Sequence, residues 1–427
     1  MLDGQAKYDS YKDSGEIWLG AIPSDWNLEC IRAVTELKSK RGEPDLPVLS
    51  VYRDYGVILK DSRDDNHNAT SLDTSNYKVV APGDLVVNKM KAWQGSMGVS
   101  QHEGIVSPAY ITCRTDPDKI APRFLHYTLR SQPFIAVYNS LSYGVRIGQW
   151  DMHYEDFKKI PLAYPDLDTQ NRIVSFLDEK TAEIDAAVEK KRRLIDLLNE
   201  QKAILINSAV TKGLNPNAPM KDSGVDWIGE IPAHWDVKRN AAMFEQTKKS
   251  GTADLPVLSV SIHHGVSREE LSEEENLRSA IKIADRTSYV EVLPGYIAYN
   301  MMRAWQGGIG AVHTHGMVSP AYVVARPFGQ MDAEYFERLY RTKLFIDQMD
   351  QYSKGITDFR KRLYWEEFKV LLTLVPPIGE QIEVAAFCGK IDDACKDAVS
   401  ATEREIAFLY EFKQTLIANA VTGKIKI

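Results

Sequence analysis

From about Asp168 to Thr211 the chain runs without a proline or glycine. Its apolar positions fall in two series, 177, 184, 198 and 205, and 174, 188, 195 and 209, with charged residues between them. That spacing predicts a heptad seam along one long helix, roughly 60 Å in length at ~1.5 Å per residue, with Gly213 as its stop. A second seam runs through Cys388, Cys395, Val399, Ile406, Leu409, Leu416 and Ala420. Two seams of equal length predict antiparallel pairing, with the globular parts held apart at opposite ends. Ahead of the first seam the period changes. Leu46 to Val51, Tyr77 to Val80, Leu85 to Val87 and Ala109 to Thr112 read as strands bounded by Gly, Pro and Asp, and Phe124 to Leu129 as a short helix. No long helices alternate with these strands, so the expectation is an α+β domain rather than a doubly wound parallel sheet.

The pattern occurs twice. Lys12-Asp13-Ser14-Gly15 leads through Trp18, Gly20 and Ile22-Pro23 to Trp26, and Lys221-Asp222-Ser223-Gly224 leads through Trp227, Gly229 and Ile231-Pro232 to Trp235. Asp45 to Val51 recurs unchanged as Asp254 to Val260. Ala92-Trp93-Gln94-Gly95 recurs as Ala304 to Gly307, and Val106 to Tyr110 as Val318 to Tyr322. A unit of half the chain is too long for a solenoid, whose repeats run roughly 20–50 residues. The expected class is therefore α+β with two tandem globular domains, each followed by a long α-helix, and the helices packed as an antiparallel coiled coil with pseudo-two-fold symmetry. The expected boundaries are 1–165 and 214–376 for the domains, and 166–213 and 377–427 for the helices.

Composition narrows the class little. The hydrophobic fraction of 44% and the charged fraction of 26% are those of an ordinary globular protein. No apolar run reaches the ~18–20 residues that span a bilayer, and the first residues lack the features of a signal peptide. Four scattered cysteines without a Cys-x-x-Cys fit a reducing cytoplasm. A net charge of −7 weighs against a nucleic-acid partner only weakly, because the placement of charge decides binding. The acidic run Glu269 to Glu275 reads as a solvated loop or exposed helix, which must face away from any DNA.

Catalytic patterns are poorly supported. Pro165-Asp166 followed by Asp178-Glu179-Lys180 fits a loose nuclease pattern, yet the second copy has Pro377, Gly389 and Ile391 at those places. Cys388 and Cys395 align with the seam residues Leu177 and Ile184 and read as small buried hydrophobes. His313 with His315, or His263 with His264, lacks a third and fourth ligand at familiar spacing. No methyltransferase tetrapeptide, cofactor loop or ATP-binding loop is present.

The residues suited to recognition lie in three places. One is Asn88-Lys89-Met90-Lys91-Ala92-Trp93-Gln94-Gly95 with its copy Asn300-Met301-Met302-Arg303-Ala304-Trp305-Gln306-Gly307. Asn88, Gln94, Asn300 and Gln306 suit adenine edges, and Lys89, Lys91 and Arg303 suit guanine edges or phosphates. The two tryptophans read as core anchors. The second place follows the shared Leu-Ser-Val, where Tyr52-Arg53-Asp54-Tyr55 in one copy faces Ser261-Ile262-His263-His264 in the other. A constant framework with different polar tips is what two readers of different half-sites need, although surface loops also drift in this way. The third is a Gly-centred loop carrying Arg146 and Gln149, matched by Lys354 and Arg360, where phosphate contact and plain solvation are both open. Lys190 to Arg193 is not repeated and reads as solvated.

Together these motifs resemble the specificity subunits of type I restriction–modification systems, over essentially the whole chain. The resemblance rests on the Asp-Ser-Gly…Trp…Gly…Ile-Pro…Trp openings, the Asn-x-Met-Lys/Arg-Ala-Trp-Gln-Gly and Val-Ser-Pro-Ala-Tyr blocks, and the long helices. The start Pro376-Pro377-Ile378-Gly379-Glu380-Gln381 belongs to the same pattern, while the first copy departs from it as Pro165-Asp166-Leu167-Asp168-Thr169-Gln170. The resemblance implies two target recognition domains, each reading one half of a bipartite site in double-stranded DNA, with the helices setting the spacing. It implies two modification subunits that carry S-adenosylmethionine and methylate adenine, and restriction subunits that join with ATP and Mg. This chain would then bind no cofactor and catalyse nothing. Two rivals stand beside it: a protein-binding scaffold, whose binding would ignore salt and DNA sequence, and a metal-dependent nuclease that would lose cleavage with Asp178→Ala.

Overall fold

The structure is a computed structural model that describes residues 6–62, 73–146, 149–252, 254–269, 288–355 and 361–427, apart from the side chains at 145, 146 and 149. The chain divides into two compact units, residues 1–192 with 403–427, and residues 193–402.

In the first unit, Tyr11–Asp13 and Ala21–Pro23 form a hairpin in which Lys12 faces Ile22. The repeated Asp-Ser-Gly makes its turn: the Asp13 carboxylate accepts the Gly15 N–H at 3.0 Å, and Gly15 has a left-handed φ of +75°. Trp26, 1% exposed, follows in the core, edge-on to Tyr8 and Phe124. The strand Asn27–Cys30 then pairs with Pro161–Tyr164, which joins the start of the domain to its end.

Between these ends lies a four-stranded antiparallel sheet in the order Thr35–Leu37, Tyr110–Thr115, Leu85–Asn88, Met97–Val99. The hairpin Leu49–Tyr52 with Gly56–Leu59 and the pair Lys78–Val80 with Gly104–Val106 pack on it around a Val-rich cluster. The helix Pro122–Leu129 has proline in its first turn, as a helix start tolerates, and buries Phe124, Leu125, Thr128 and Leu129 on one face. Gln132–Leu141 follows it.

The second unit repeats this plan. Met220–Asp222 pairs with Glu230–Pro232, and Asp236–Arg239 with Leu372–Val375. Its main sheet runs Phe244–Thr247, Tyr322–Pro327, Ile297–Asn300, Ile309–Ala311. The two-residue strands Val260–Ser261 and Gly265–Val266 form its tip hairpin, and Ala333–Tyr340 and Lys343–Tyr352 are its helices.

The long helices are Leu167–Lys212 and Ile378–Val421. Their starts share a clamp. The Gln170 side chain donates to the Lys119 and Pro165 carbonyls at 2.9 and 2.8 Å and accepts the Ala121 N–H at 2.7 Å. Gln381 donates to the Pro376 carbonyl at 2.8 Å and accepts the Asp332 N–H at 3.0 Å. Here the two copies solve one difference separately. Glu380 accepts the Trp235 indole N–H at 2.9 Å, whereas the first copy has Thr169 at that position and caps its helix with Asp166, which accepts the Thr169 N–H at 2.9 Å.

The two helices pack antiparallel, as expected. Within the first unit Asp185 pairs with Lys413 at 2.7 Å and Lys191 with Glu405; within the second, Cys395 Sγ approaches the Leu198 carbonyl at 3.6 Å and Lys202 approaches Asp392 at 3.5 Å. Leu177 and Ile184 share a core with Leu416 and Ala420, and Ala209 and Val210 share one with Val384 and Cys388. Toward the middle of each helix the seam thins, and the apolar side chains of Leu194, Leu197, Phe408 and Phe412 stay exposed.

Each helix ends on a left-handed glycine seated against a buried tryptophan. Gly213, at φ +75°, lies beside Trp235, and Gly423, at φ +70°, lies beside Trp26. Lys424 then donates to the Leu19 carbonyl at 2.8 Å, and the Lys426 N–H to the Ala6 carbonyl at 2.7 Å.

Candidate nucleic-acid interface

Two of the repeated motifs meet at one end of the main sheet. Asn88 faces Tyr110 across the ladder, and Asn300 faces Tyr322, so the Asn-x-Met block and the Val-Ser-Pro-Ala-Tyr block are neighbours in both domains. After each Asn the chain forms a 3₁₀ turn, Ala92–Gln94 or Ala304–Gln306, closed by a glycine at φ +84° or +88°. The indoles tie these turns together: Trp93 donates to the Met90 carbonyl at 3.2 Å and Trp305 to the Met302 carbonyl at 3.0 Å. The tryptophans are thus half-buried framework. Asn88 and Asn300 are more deeply placed, at 6% and 3% exposure, and the Asn300 amide oxygen accepts the Met302 N–H at 3.0 Å. Lys89 pairs with Asp151 at 3.0 Å, and Arg303 donates to the Gln306 side chain at 2.7 Å; Lys91 is exposed and Gln94 half-buried.

The divergent tips are tight hairpin turns. Tyr52 faces Gly56 in the first, and Ser261 faces Gly265 in the second. Arg53, Asp54 and Tyr55 are exposed, as are Ile262, His263 and His264. Tyr52 turns its ring toward Tyr55 at 6.3 Å. Beneath each turn lies an arginine that sequence reasoning passed over. Arg130 donates to the Arg53 carbonyl at 2.7 Å, the Tyr52 carbonyl at 3.3 Å and the Met97 carbonyl at 2.8 Å. Arg341 donates to the His263 and Ile262 carbonyls at 2.6 and 3.1 Å. Their trace in the sequence is a shared Arg-Ser/Thr at an offset of 211, Arg130-Ser131 and Arg341-Thr342, each directly after a short helix.

One turn earlier on the same helices, His126 accepts the Val99 N–H at 3.3 Å and Glu337 accepts the Ala311 N–H at 2.8 Å. Both residues press on the tip glycine. A Cβ on Gly56 would lie 2.8 Å from His126, and one on Gly265 would lie 2.5 Å from Glu337. Burial, with Arg130 and Arg123 nearby, pushes the His126 imidazole down to about 3. Burial also raises the Glu337 carboxyl above its usual range, although its backbone bond and Arg341 oppose the shift.

The third place is a hairpin in the first domain rather than an open loop. Tyr143–Arg146 pairs with Gln149–Asp151, and Arg146 faces Gln149 in the register. The side chains of Arg146 and Gln149 lie outside the described residues. Tyr143, 58% exposed, stacks on His153. In the second domain Lys354 pairs with Glu367, and Arg360 lies outside the described residues, as does the acidic run from residue 270.

The residues that looked catalytic are occupied structurally. Asp166 caps a helix, Asp178 holds Arg123 and Tyr127, and Lys180 pairs with Glu179 and Glu183 on the surface. Burial pushes the Cys388 thiol up to about 11. Among the described residues, no group of three or more His, Cys, Asp and Glu could hold a metal ion. No described helix is long and apolar enough to cross a membrane.

No protein-family model and no curated protein sequence matches the chain. Solved structures do. A chain from a study of complex assembly and conformational transition in a type I restriction–modification system matches with a TM-score of 0.62 at 14% identity, over 94% of this chain and 98% of that one. A second match, the HsdS subunit of Thermoanaerobacter tengcongensis, has a TM-score of 0.54 at 16% identity and covers 95% of this chain and 98% of its own. The chain has the fold of a type I specificity subunit. The likeness to the specificity-subunit fold covers 94–95% of the chain and so takes in both domains and both long helices.

Proposed function

We propose that this chain is the DNA sequence-recognition subunit of a type I restriction–modification complex. The observation that carries the proposal is the specificity-subunit fold, matched across nearly the full length of both chains. The local geometry supports it. Each domain holds a polar turn rigidly on an arginine and presents different side chains there, Arg53 to Tyr55 in one and Ile262 to His264 in the other. Arginine and histidine at such a tip suit acceptor-rich base edges, and exposed Lys91 and Arg303 suit phosphates. Two scaffolds of one design with different tips fit a bipartite target whose halves are read separately.

In this reading the chain is not itself catalytic. S-adenosylmethionine belongs to two modification subunits, which flip and methylate an adenine in each half-site, and ATP and Mg belong to restriction subunits. The exposed apolar residues of the long helices, Phe408 and Phe412 in the first unit and Leu194, Leu197 and Ile204 in the second, suit subunit docking.

The test is co-expression with the candidate modification subunit in a methylation-free host, followed by genome-wide mapping of N6-methyladenine. The expected result is an interrupted motif that disappears without this chain. A folded complex with an active partner and no methylation would favour a protein-binding scaffold instead. Exchanging residues 52–55 with 261–264 should change the mapped motif, and an unaltered motif would show that the tips do not specify sequence.

A further inference from the structure

In the second unit a cleft of about 1340 Å³ opens between the end of the first long helix, the helix Ala333–Tyr340 and the tip turn at His263 and His264. Seven Lys and Arg line it against four Asp and Glu, in a chain whose net charge is −7. Four of these cations lie close to carboxylates. Arg338 and Lys202 approach Asp392, Arg341 approaches Glu337 and Lys343 approaches Asp347. Lys212, Arg268 and Lys396 are exposed and have no ion pair among the described residues. Arg268 is also held in place, since its carbonyl accepts the Thr314 hydroxyl at 2.7 Å.

The internal repeat provides the control. In the first unit the positions of Arg268 and Lys396 hold Leu59 and Asp185, Asp185 is already paired with Lys413, and the residue just before the helix-closing glycine, Lys212 here, is Thr422 there. Arg123 stands where the second copy has Glu334, but Asp178 holds it. The two domains share the sheet, the tip and the arginine beneath it, so these three cations are not a requirement of the fold. They flank the tip that carries His263 and His264.

We propose that the second domain, and not the first, carries a seat for the phosphodiester backbone of duplex DNA, formed by Lys212, Arg268 and Lys396. The inference rests on the DNA-recognition reading and adds an asymmetry to it. A backbone seated in the cleft lies beside the tip, where base edges come within its reach. Phosphate contacts position a duplex without reading its sequence, so the second half-site gains, beyond the phosphate contacts suited to Lys91 and Arg303, an anchor of charge that the first lacks.

The test uses the chain assembled with its modification subunits and a fluorescein-labelled duplex containing the mapped motif, titrated by anisotropy over a range of KCl. Replacing Lys212, Arg268 and Lys396 together by Gln should flatten the slope of log K against log[salt] by about 2–3, since each lost phosphate contact accounts for ~0.9. Lys396→Gln alone should flatten it by roughly one contact, ~0.9. The methylated motif stays unchanged, and Lys190→Gln, on the exposed face of the first long helix, leaves the slope as it was. A wild-type slope in the triple variant overturns the proposal. So does a triple variant that no longer assembles with the modification subunits, which assigns the cleft to an acidic protein segment. If the wild type binds DNA without sequence preference and the triple variant still flattens the slope, the cleft stands and the recognition reading falls. If the wild-type complex binds no DNA, both fall.

Discussion

Val99 in the first domain and Ala311 in the second each give their backbone N–H to a side chain from the neighbouring helix, and that side chain is His126 in one and Glu337 in the other. The roles match because both offer an acceptor at the same place, yet their titrations run in opposite directions. The folded His126 binds a proton only near pH 3, while the unfolded ring binds one near 6.5. Its contribution to stability is therefore present above about 6.5 and lost progressively as the pH falls toward 3. Glu337 keeps its proton to a higher pH than the unfolded carboxyl, so its contribution is full below 4.5 and lost as the pH rises through the raised value. Hydrogen exchange followed by mass spectrometry between about pH 7 and 5 should show Met97–Val99 losing protection on acidification, with the loss absent in His126→Gln. The Ile309–Ala311 segment should not lose protection through Glu337. Equal losses at both strands, or a loss that survives His126→Gln, would refute this account. Neither residue is conspicuous in the sequence. Their importance comes from a strand amide that only the folded sheet brings alongside. The same holds for Arg130 and Arg341, whose partners Arg53 and His263 lie 77 and 78 residues away along the chain.

Local patterns carried the elements further than the side chains. The proline-free heptad run becomes a helix of 46 residues, and the β-branched runs become strands, because periodicity and turn residues act within a few positions of one another. The Gly-centred segment at Tyr143 instead pairs with Gln149–Asp151, and the ladder satisfies backbone groups that an open loop would leave to water. Asn88 and Asn300 look suited to base edges but end a strand whose residues are all buried. The glycine that closes the first long helix was legible, but its counterpart Gly423 and the tight seat of both were not. Gly423→Ala forces a left-handed φ on alanine, and its Cβ would lie 2.4 Å from Pro23 and 3.3 Å from Trp26. The expected cost is above ~1 kcal/mol, read as a lower urea midpoint. Gly20→Ala meets only the end of Lys424 and should cost less. Equal midpoints for the two variants would mean that the seat adds nothing to the strain of φ.

Over the whole molecule, the first unit is assembled from distant parts of the chain, residues 1–192 and 403–427, while the second is one continuous stretch. Leu416, Ala420, Val421 and Ile425 belong to the core that surrounds Trp26. Deleting residues 423–427 removes Ile425 and the Lys424 bonds to the first hairpin. Hydrogen exchange should then rise across the first unit and stay unchanged in the second, whereas a uniform rise would show that the two units unfold together. The same division bears on synthesis. A chain emerging from the ribosome exposes the sequence of the first unit long before the residues that complete its core exist, and domains ordinarily fold in the order they are made. Here residues 193–402 are complete while the earlier domain still lacks part of its core. The half translated first is the half that finishes last, and until then the pocket around Trp26 is open surface for a chaperone or for aggregation.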